Sequence, residues 1–120
     1  GSDHPHGFTF DEEGRLAFIT GEGNGALQVV DLRTINPWDR KTVLASVRKT
    51  GRAVIVNEAP LTGGFASEVS ATIAEHAIEY LEAPVKRVTG YDTPFPYTLE
   101  NLYMPNANKV LAAIEETINF

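Results

Sequence analysis

The sequence changes its pattern at residues 30–34, and this change limits the folds open to the chain. Before that point, two β-rich runs surround the glycine-rich residues 21–25. After it, short apolar runs alternate with amphipathic segments. A link of five residues permits only an antiparallel hairpin, because a parallel neighbour requires a crossover of about a dozen residues. The chain is therefore expected to begin with a β-hairpin and to continue as alternating strands and helices.

Local signals place the elements after the junction. Asp39 is a good N-cap for an amphipathic helix, and Gly51 suits a left-handed helix end. The nearly continuous apolar run that follows is typical of a strand buried on both faces. The predicted elements after that helix are a strand at 52–58, a helix at about 65–81, a strand at 85–89 and a helix from 106 or 108 to 118.

This alternation predicts an α/β fold. Right-handed crossovers place helices on both faces of a sheet, which gives a three-layer sandwich. We expect a mostly parallel sheet of about five strands, with an antiparallel β-hairpin at its N-terminal end. Residues 8–10 would supply a weaker strand. The 120 residues form a single predicted domain, 1–120, with a hairpin segment at 3–30 and the remainder at 31–120.

Composition excludes several classes of function. The net charge is -6 and the ten basic residues are scattered, which argues against a nucleic-acid partner. There is no cysteine, so disulfides and thiolate chemistry are excluded. Apolar runs fall well short of the ~20 residues that span a bilayer, so no membrane association is expected.

The candidate chemical groups do not form a predicted active site. His4 and His6 have no third metal ligand nearby in the sequence. His76 lies beside an apolar helical stripe and is expected to be partly buried or at an interface. Gly63 and Gly64 could present amides to an anion or simply form a tight turn, but their loop lacks the lysine and hydroxyl of a phosphate-binding loop. No catalytic, cofactor-binding or metal-binding residue is predicted.

A passage rich in proline and aromatic residues follows residue 90. Rigid aromatic side chains suit an interface because little conformational entropy is lost on binding. The alternative is a loop that folds over the edge of its own core. The candidates for this interface include Phe95, Pro96, Tyr97 and Tyr103.

Much of the chain resembles one family. The motifs that carry the resemblance are VDLRTINPWD at 30–39, KTGR at 49–52, NEAPLTGGFASE at 57–68, LEAPVKRV at 81–88 and YDTPFPY at 91–97. On these motifs, residues 30–120 resemble the C-terminal, transketolase-type domain of the β subunit of thiamine-dependent 2-oxo acid dehydrogenases. The branched-chain enzyme is the nearest match.

The resemblance implies an association domain without catalytic residues. In the family, the thiamine cofactor is held by the α subunit and the N-terminal domain of the β subunit, so no cofactor and no enzymatic activity are expected here. The family domain joins two β subunits and docks the subunit-binding domain of the acyltransferase core. Asn119 and Phe120, with the aromatic passage, are the expected contacts. The family occurs in the mitochondrial matrix or the bacterial cytoplasm.

The N-terminal segment departs from the family. A family member has a strand, a helix and a second strand there, whereas this chain joins the two strands directly. Residues 3–34 instead resemble a blade repeat of a lactonase-like, YVTN-type β-propeller. Loss of the helix would uncover a sheet face that includes Leu16, Phe18 and Ile19. Exposed apolar faces usually find a partner, so a homodimer or an exchanged segment is expected.

Two alternatives accompany the association domain. The chain could be an engineered or recombined chimera with no biological activity of its own, and Gly1-Ser2 is typical of a scar left by tag removal. It could also be a small enzyme, either a thiamine-dependent remnant or a lactonase-like hydrolase. A single blade cannot form the central channel of a propeller, which disfavours the hydrolase.

Overall fold

A computed structural model describes residues 17–21, 27–94 and 97–120, with backbone alone at 17–21, 97, 100 and 101. The strands are β1 (Ala17–Gly21), β2 (Leu27–Asp31), β3 (Ala53–Pro60) and β4 (Lys86–Gly90). The helices are α1 (Arg40–Thr50), α2 (Phe65–Ala77), α3 (Glu100–Tyr103) and α4 (Ala107–Ile118). Two 3-10 turns lie at Ile78–Tyr80 and Tyr97–Leu99.

The strands form one sheet in the order β2-β1-β3-β4. β1 pairs antiparallel with β2, as the short link requires, and it also pairs antiparallel with β3. β3 and β4 are parallel, with α2 crossing over between them. The predicted α/β class is confirmed. The sheet is more mixed than the expected mostly parallel one, because β1 lies between β2 and β3 and runs against both.

The four described strands account for the predicted strands at and after residue 17. The weaker strand predicted at residues 8–10 lies outside the described residues. The expected count of about five therefore stays a prediction.

The ends of α1 form as their residues predict. The Asp39 carboxylate accepts hydrogen bonds from the backbone N–H of Thr42 at 3.1 Å and from its hydroxyl at 2.6 Å. Gly51 has a φ of 73° and its N–H donates to the carbonyl of Val47 at 2.8 Å. The cap and the glycine satisfy backbone groups that the helix itself leaves unpaired.

The core has two layers that share β3. Ala53 and Ile55 face one layer, with α1 and α2, whereas Val54 and Val56 face the other layer, with α4. All four side chains are buried. β3 is therefore covered on both faces, as its apolar run predicts.

α2 is shorter than the sequence predicts. It ends at Ala77, and a 3-10 turn continues to Tyr80, where the predicted helix would have run to 81. The chain must turn there because the N–H of Glu82 donates to the carbonyl of Gly51 at 2.8 Å, and this bond ties the end of the turn to the start of β3. Ile78 is 66% exposed as a result.

α4 packs on β3 and β4, close to its predicted bounds. Its N-cap is Asn106, whose side chain accepts a hydrogen bond from Lys109 N–H at 2.9 Å. Val110 and Ile114 lie in the core between the helix and the sheet. The apolar spacing of this helix predicts Val110, Leu111, Ile114 and Ile118 on its inner side. Val110 and Ile114 are buried there, whereas Ile118 is 52% exposed because it lies at the last turn of the helix.

On the α4 side of the sheet, the apolar surface of β2 is partly open. Val29 is 52% exposed there, whereas Val30 packs into the core beneath α1. In the sheet, position 19 of β1 pairs with Val29 of β2 and Val54 of β3, whereas position 18 pairs with Val30 and Ile55. Because neighbouring residues of a strand belong to opposite faces of the sheet, positions 18 and 19 lie on different faces. Leu16 lies outside the described residues, so the predicted exposed face stays a prediction.

Candidate docking surface

A cleft of about 610 Å³ lies between β4 and α4. β4 is the last strand in the described sheet order. All of β4 lines the cleft, together with Leu61, Tyr91 and Asp92 beyond the strand ends. The helix contributes Lys109, Ala112, Ala113 and Glu116. Among the described strands, only β3 pairs with β4, and an unpaired strand edge beside a groove is a surface to which another chain can add.

One end of the cleft is built from aromatic rings. Gly90 allows Tyr103 to pack against the strand, because a Cβ at residue 90 would lie 2.5 Å from ring carbons of Tyr103. Tyr91 meets Tyr103 edge to face at 6.4 Å between centroids. Lys109 Nζ lies 5.0 Å from the Tyr91 centroid and donates to the carbonyls of Leu102 and Met104. This end is therefore rigid.

Hydrogen bonds made by Asp92 and Arg87, here called the polar clamp, hold the loop between β3 and α2 beside the aromatic end of the cleft. The Asp92 carboxylate accepts hydrogen bonds from Thr62 N–H at 2.9 Å and from the Thr62 hydroxyl at 2.5 Å. These bonds, the hydroxyl's first, lower the pKa of Asp92 below its ordinary value. Arg87 donates to the Leu61 carbonyl at 3.0 Å and to Ser67 Oγ at 2.9 Å. The clamp fixes the loop between β3 and α2 against the end of β4.

The opposite end of the cleft is charged and leads to the chain terminus. Lys86 Nζ lies 2.8 Å from Glu116 Oε2. Just beyond, Ile118 is 52% exposed and Phe120 is 76% exposed. Neither side chain lines the cleft, but exposed apolar side chains at a terminus that follows a groove are compatible with a protein-binding surface.

Some of the predicted interface residues are exposed, and others lie outside the described residues. Asn119 and Phe120 are exposed at the C-terminal end of α4. Phe95 and Pro96 lie outside the described residues, and only the backbone of Tyr97 is described, at the start of a 3-10 turn. Among the described residues of the aromatic passage, the exposed large hydrophobic side chains are Tyr91 (55%), Leu99 (54%) and Leu102 (64%).

Tyr103 requires a correction. It is 5% exposed and packs against Gly90, so it belongs to the interior of this chain and not to the surface. A proline- and aromatic-rich passage can pack on its own core or on a partner, and its composition does not separate these cases. In this passage Tyr103 packs on the core of its own chain, whereas the Leu102 side chain is exposed.

The sequence reasoning missed the helical side of the cleft. Lys109, Ala112 and Glu116 are spaced by three and four residues, which puts them on one flank of α4 beside the buried stripe. That spacing was the available signal. Lys109, Ala112 and Glu116 lie outside the family motifs, and the motif that contains Leu61 gives no sign of a groove. Only the packing of α4 on β4 shows that these residues share one.

The histidines and the acidic residues do not form a metal site in the described part of the chain. Within residues 17–21, 27–94 and 97–120, no three metal-ligating side chains cluster. His4 and His6 lie outside those ranges. The His76 side chain is about half exposed, with its Nε2 3.5 Å from Glu75 Oε2. No helix among the described residues is long and apolar enough to cross a bilayer.

The fold and its surface define a three-layer α/β domain with a groove beside the last strand of the described sheet. The chain belongs to the transketolase C-terminal domain family, whose sequence profile matches residues 20–110. The match begins at Thr20, ten residues before the junction predicted at Val30. The resemblance of residues 3–34 to a propeller blade stays a prediction.

The similar curated proteins are dehydrogenase β subunits. The chain is 51% identical over 105 residues to the mitochondrial 2-oxoisovalerate dehydrogenase subunit beta 2 of Arabidopsis thaliana, covering 87% of this chain and 29% of that protein. Identity is 55% over 91 residues to the mitochondrial 2-oxoisovalerate dehydrogenase subunit beta of Dictyostelium discoideum, covering 76% and 25%. It is 47% over 107 residues to the pyruvate dehydrogenase E1 component subunit beta of Leifsonia xyli, covering 88% and 32%.

These matches confirm the resemblance to the C-terminal domain of an E1 β subunit. The chain spans only 25–32% of the length of these relatives. The activity and the partners of the whole subunits are therefore matters for proposal.

Proposed function

We propose that this chain is a non-catalytic association and docking domain of the kind found in E1 β subunits of 2-oxo acid dehydrogenases. The observation that carries the proposal is the cleft between β4 and α4, which exposed Tyr91 lines at one end. Leu102, whose carbonyl accepts a hydrogen bond from Lys109, and Phe120, four residues after Glu116, are exposed near the two ends in the sequence but do not line the cleft. The relatives are named as subunits of dehydrogenases, which supports a role in contacts between proteins.

The polar groups at the cleft support binding over catalysis. The carboxylate of Asp92 is held by Thr62, and Arg87 is held by Leu61 and Ser67. The pKa of Asp92 is lowered, which favours the ionised form and makes it a poor general acid near neutral pH. These groups therefore serve to fix the loops that frame the cleft.

The proposed partner is the subunit-binding domain of an acyltransferase core, and association with a second copy of the chain is the companion proposal. Isothermal titration calorimetry with such a domain tests the first. We expect saturable binding that Leu102→Ala and Phe120→Ala each weaken, because removing an exposed apolar side chain from an interface lowers affinity by about tenfold per 1.4 kcal/mol lost.

Ile78→Ala is the matched control for that titration. Ile78 is also exposed, at 66%, but it belongs to the 3-10 turn that packs with α1 and α2. We expect this variant to bind like the parent chain. If all three variants bind alike, the cleft is not the docking surface.

The second candidate is a chimeric fold without biological activity. The direct hairpin between β1 and β2, where a family helix was expected, favours it. Under this alternative, the titration shows no saturable heat although the chain is folded by circular dichroism.

A further inference from the structure

Lys109 ties the end of α3 to α4 at the aromatic end of the cleft. Its Nζ donates to the carbonyl of Leu102 at 2.8 Å and to the carbonyl of Met104 at 2.9 Å. The same Nζ lies 5.0 Å from the centroid of the Tyr91 ring. The last carbonyls of a helix lack partners within the helix, and a cationic side chain can satisfy them. One ammonium group therefore holds α3, the link to α4 and the residue after β4 together.

The two lysines of the cleft are held by different kinds of group. Lys86 Nζ lies 2.8 Å from Glu116 Oε2, in an exposed ion pair of the kind that contributes little to stability. Lys109 instead contacts two neutral carbonyls and an aromatic ring. Loss of the positive charge would cost a surface ion pair at Lys86, whereas at Lys109 it would release a segment of the chain. Of these two lysines, Lys109 is therefore the one whose chemical state can alter the shape of the cleft.

We propose that Lys109 is a modification site that regulates docking, and that the modification is acylation by a thioester. The bond from Nζ to the acyl carbon forms while the bond from that carbon to sulfur breaks. Of the two protons that the ammonium group loses, one goes to solvent and the other to the departing thiolate. The product is a neutral amide with a single N–H. The inference rests on the proposed function, because it gives the same surface a means of control.

An acylated Lys109 cannot keep its present partners. Its one N–H can donate to the carbonyl of Leu102 or to that of Met104, so that one of them loses its donor. A neutral amide also lacks the attraction of a cation for the face of Tyr91. Both losses free the end of α3. Leu102, which is 64% exposed and is a proposed docking contact, then has no fixed position, and fixing it again on binding costs conformational entropy.

The position of Nζ allows the reaction. Lys109 is half-buried and lines the cleft, whose volume of about 610 Å³ leaves room for an acetyl group. A docked partner would cover this side chain, so the modification acts on the unbound chain. Acylation and docking therefore oppose each other in both directions, as linkage requires.

Incorporation of Nε-acetyllysine at residue 109 of the full chain tests the inference. The first readout is amide hydrogen exchange across residues 98–106, which needs no partner. We expect exchange there to become about tenfold faster, because a hydrogen bond and a cation–π contact are lost. The second readout is calorimetric titration with a subunit-binding domain, whose dissociation constant should rise by about tenfold for the same reason.

Matched variants separate the role of the Lys109 charge from a general effect of acylation. Nε-acetyllysine in place of Lys41, which is exposed on α1 and lies outside the cleft between β4 and α4, should change neither readout. In place of Lys86, it should leave the exchange of residues 98–106 unchanged. Lys109→Arg keeps the charge and several N–H donors, so it should keep slow exchange and tight docking, whereas Lys109→Gln should behave like the acetylated chain.

Reaction of the folded chain with S-acetyl-N-acetylcysteamine, a small thioester, tests whether Nζ can be reached. Mass spectrometry should find acetyl groups on Lys109, and a saturating concentration of the subunit-binding domain should slow that reaction. Modification of Lys41 without modification of Lys109 would overturn the proposed site.

Two other results would overturn the inference. One is unchanged exchange in the chain that is acetylated at residue 109. The other is faster exchange with an unchanged dissociation constant, which would leave the proposed docking intact and remove only its regulation. If the unmodified chain itself shows no saturable binding, the proposed function fails, and its regulation fails with it.

Discussion

At the scale of single residues, close contacts fix the two ends of the central strands. A Cβ at Gly90 would lie 2.7 Å from the carbonyl oxygen of Glu58, in addition to its clash with the Tyr103 ring. At the other end, Gly51 has a φ of +73°, and a Cβ there would lie 2.9 Å from Glu82 Cγ. Arg52 reinforces this end by donating to the carbonyl of Thr117 at 3.0 Å and pairing with Glu82.

We expect Asp92 to make the stability of the domain depend on pH in the acid range. Its pKa is lowered in the folded chain by the Thr62 hydroxyl and amide, so the ionised carboxylate stabilises the fold. This contribution is present above the unfolded pKa of about 3.9 and is lost as pH falls through the lower folded value. Asp92→Asn should therefore lower the Tm at pH 7, with a difference from the parent that shrinks below about pH 3.9.

Thr62→Val supplies the comparison for the Asp92 measurement. It removes the hydroxyl donor and keeps the backbone donor, so thermal melts across the same pH series should show a weaker pH dependence than the parent chain. If the difference in Tm between the parent chain and Asp92→Asn were the same at every pH, the ionised carboxylate of Asp92 would not be the stabilising form.

At the scale of elements, α4 presents three different sides. Its buried side includes Val110 and Ile114. One flank, with Lys109, Ala112 and Glu116, borders the cleft. Ile118, at its C-terminal end, is half exposed. The helix thus joins the core to the candidate surface, and substitutions on different sides should separate folding from association.

Two isoleucines of α4 test this division. Ile114 is 4% exposed and Ile118 is 52% exposed. Ile114→Ala should lower the free energy of unfolding by about 3 kcal/mol, because it leaves a cavity in the core. Ile118→Ala should lower it by less than about 1 kcal/mol. Urea denaturation measures both, and equal losses would contradict the assigned burial.

At the scale of the whole molecule, two core layers share a single strand. β3 packs on α1 and α2 through Ile55 and on α4 through Val54 and Val56. Damage to either layer therefore loosens the strand that supports the other. Trp38 is the single tryptophan of the chain, lies in the α1–α2 layer and meets Phe65 edge to face at 6.1 Å. Its fluorescence reports on that layer alone.

We expect the two layers to unfold together. Trp38 fluorescence and far-UV circular dichroism should give coincident urea transitions, as in two-state unfolding of small domains. Ile114→Ala, in the opposite layer, should shift both transitions to the same lower midpoint. A Trp38 transition that stays in place while the circular dichroism transition moves would show that the layers unfold independently.

The sequence by itself determined the elements whose signals are local. The cap at Asp39, the left-handed stop at Gly51 and the apolar run of β3 depend on neighbours a few residues away, and each forms as predicted. The hairpin of β1 and β2 follows from the length of their link. The family motifs also lie in continuous runs, so family membership was readable from residues 30–97.

The tertiary structure alone decided what depends on distant parts of the chain. α2 stops at Ala77 because Glu82 must reach Gly51, 31 positions earlier in the sequence. Tyr103 is buried because Gly90 leaves room for its ring. The cleft exists because α4 packs along the edge of β4, and no local pattern states which strand ends a sheet. Burial and edges are properties of the packed molecule, since they depend on which segments meet.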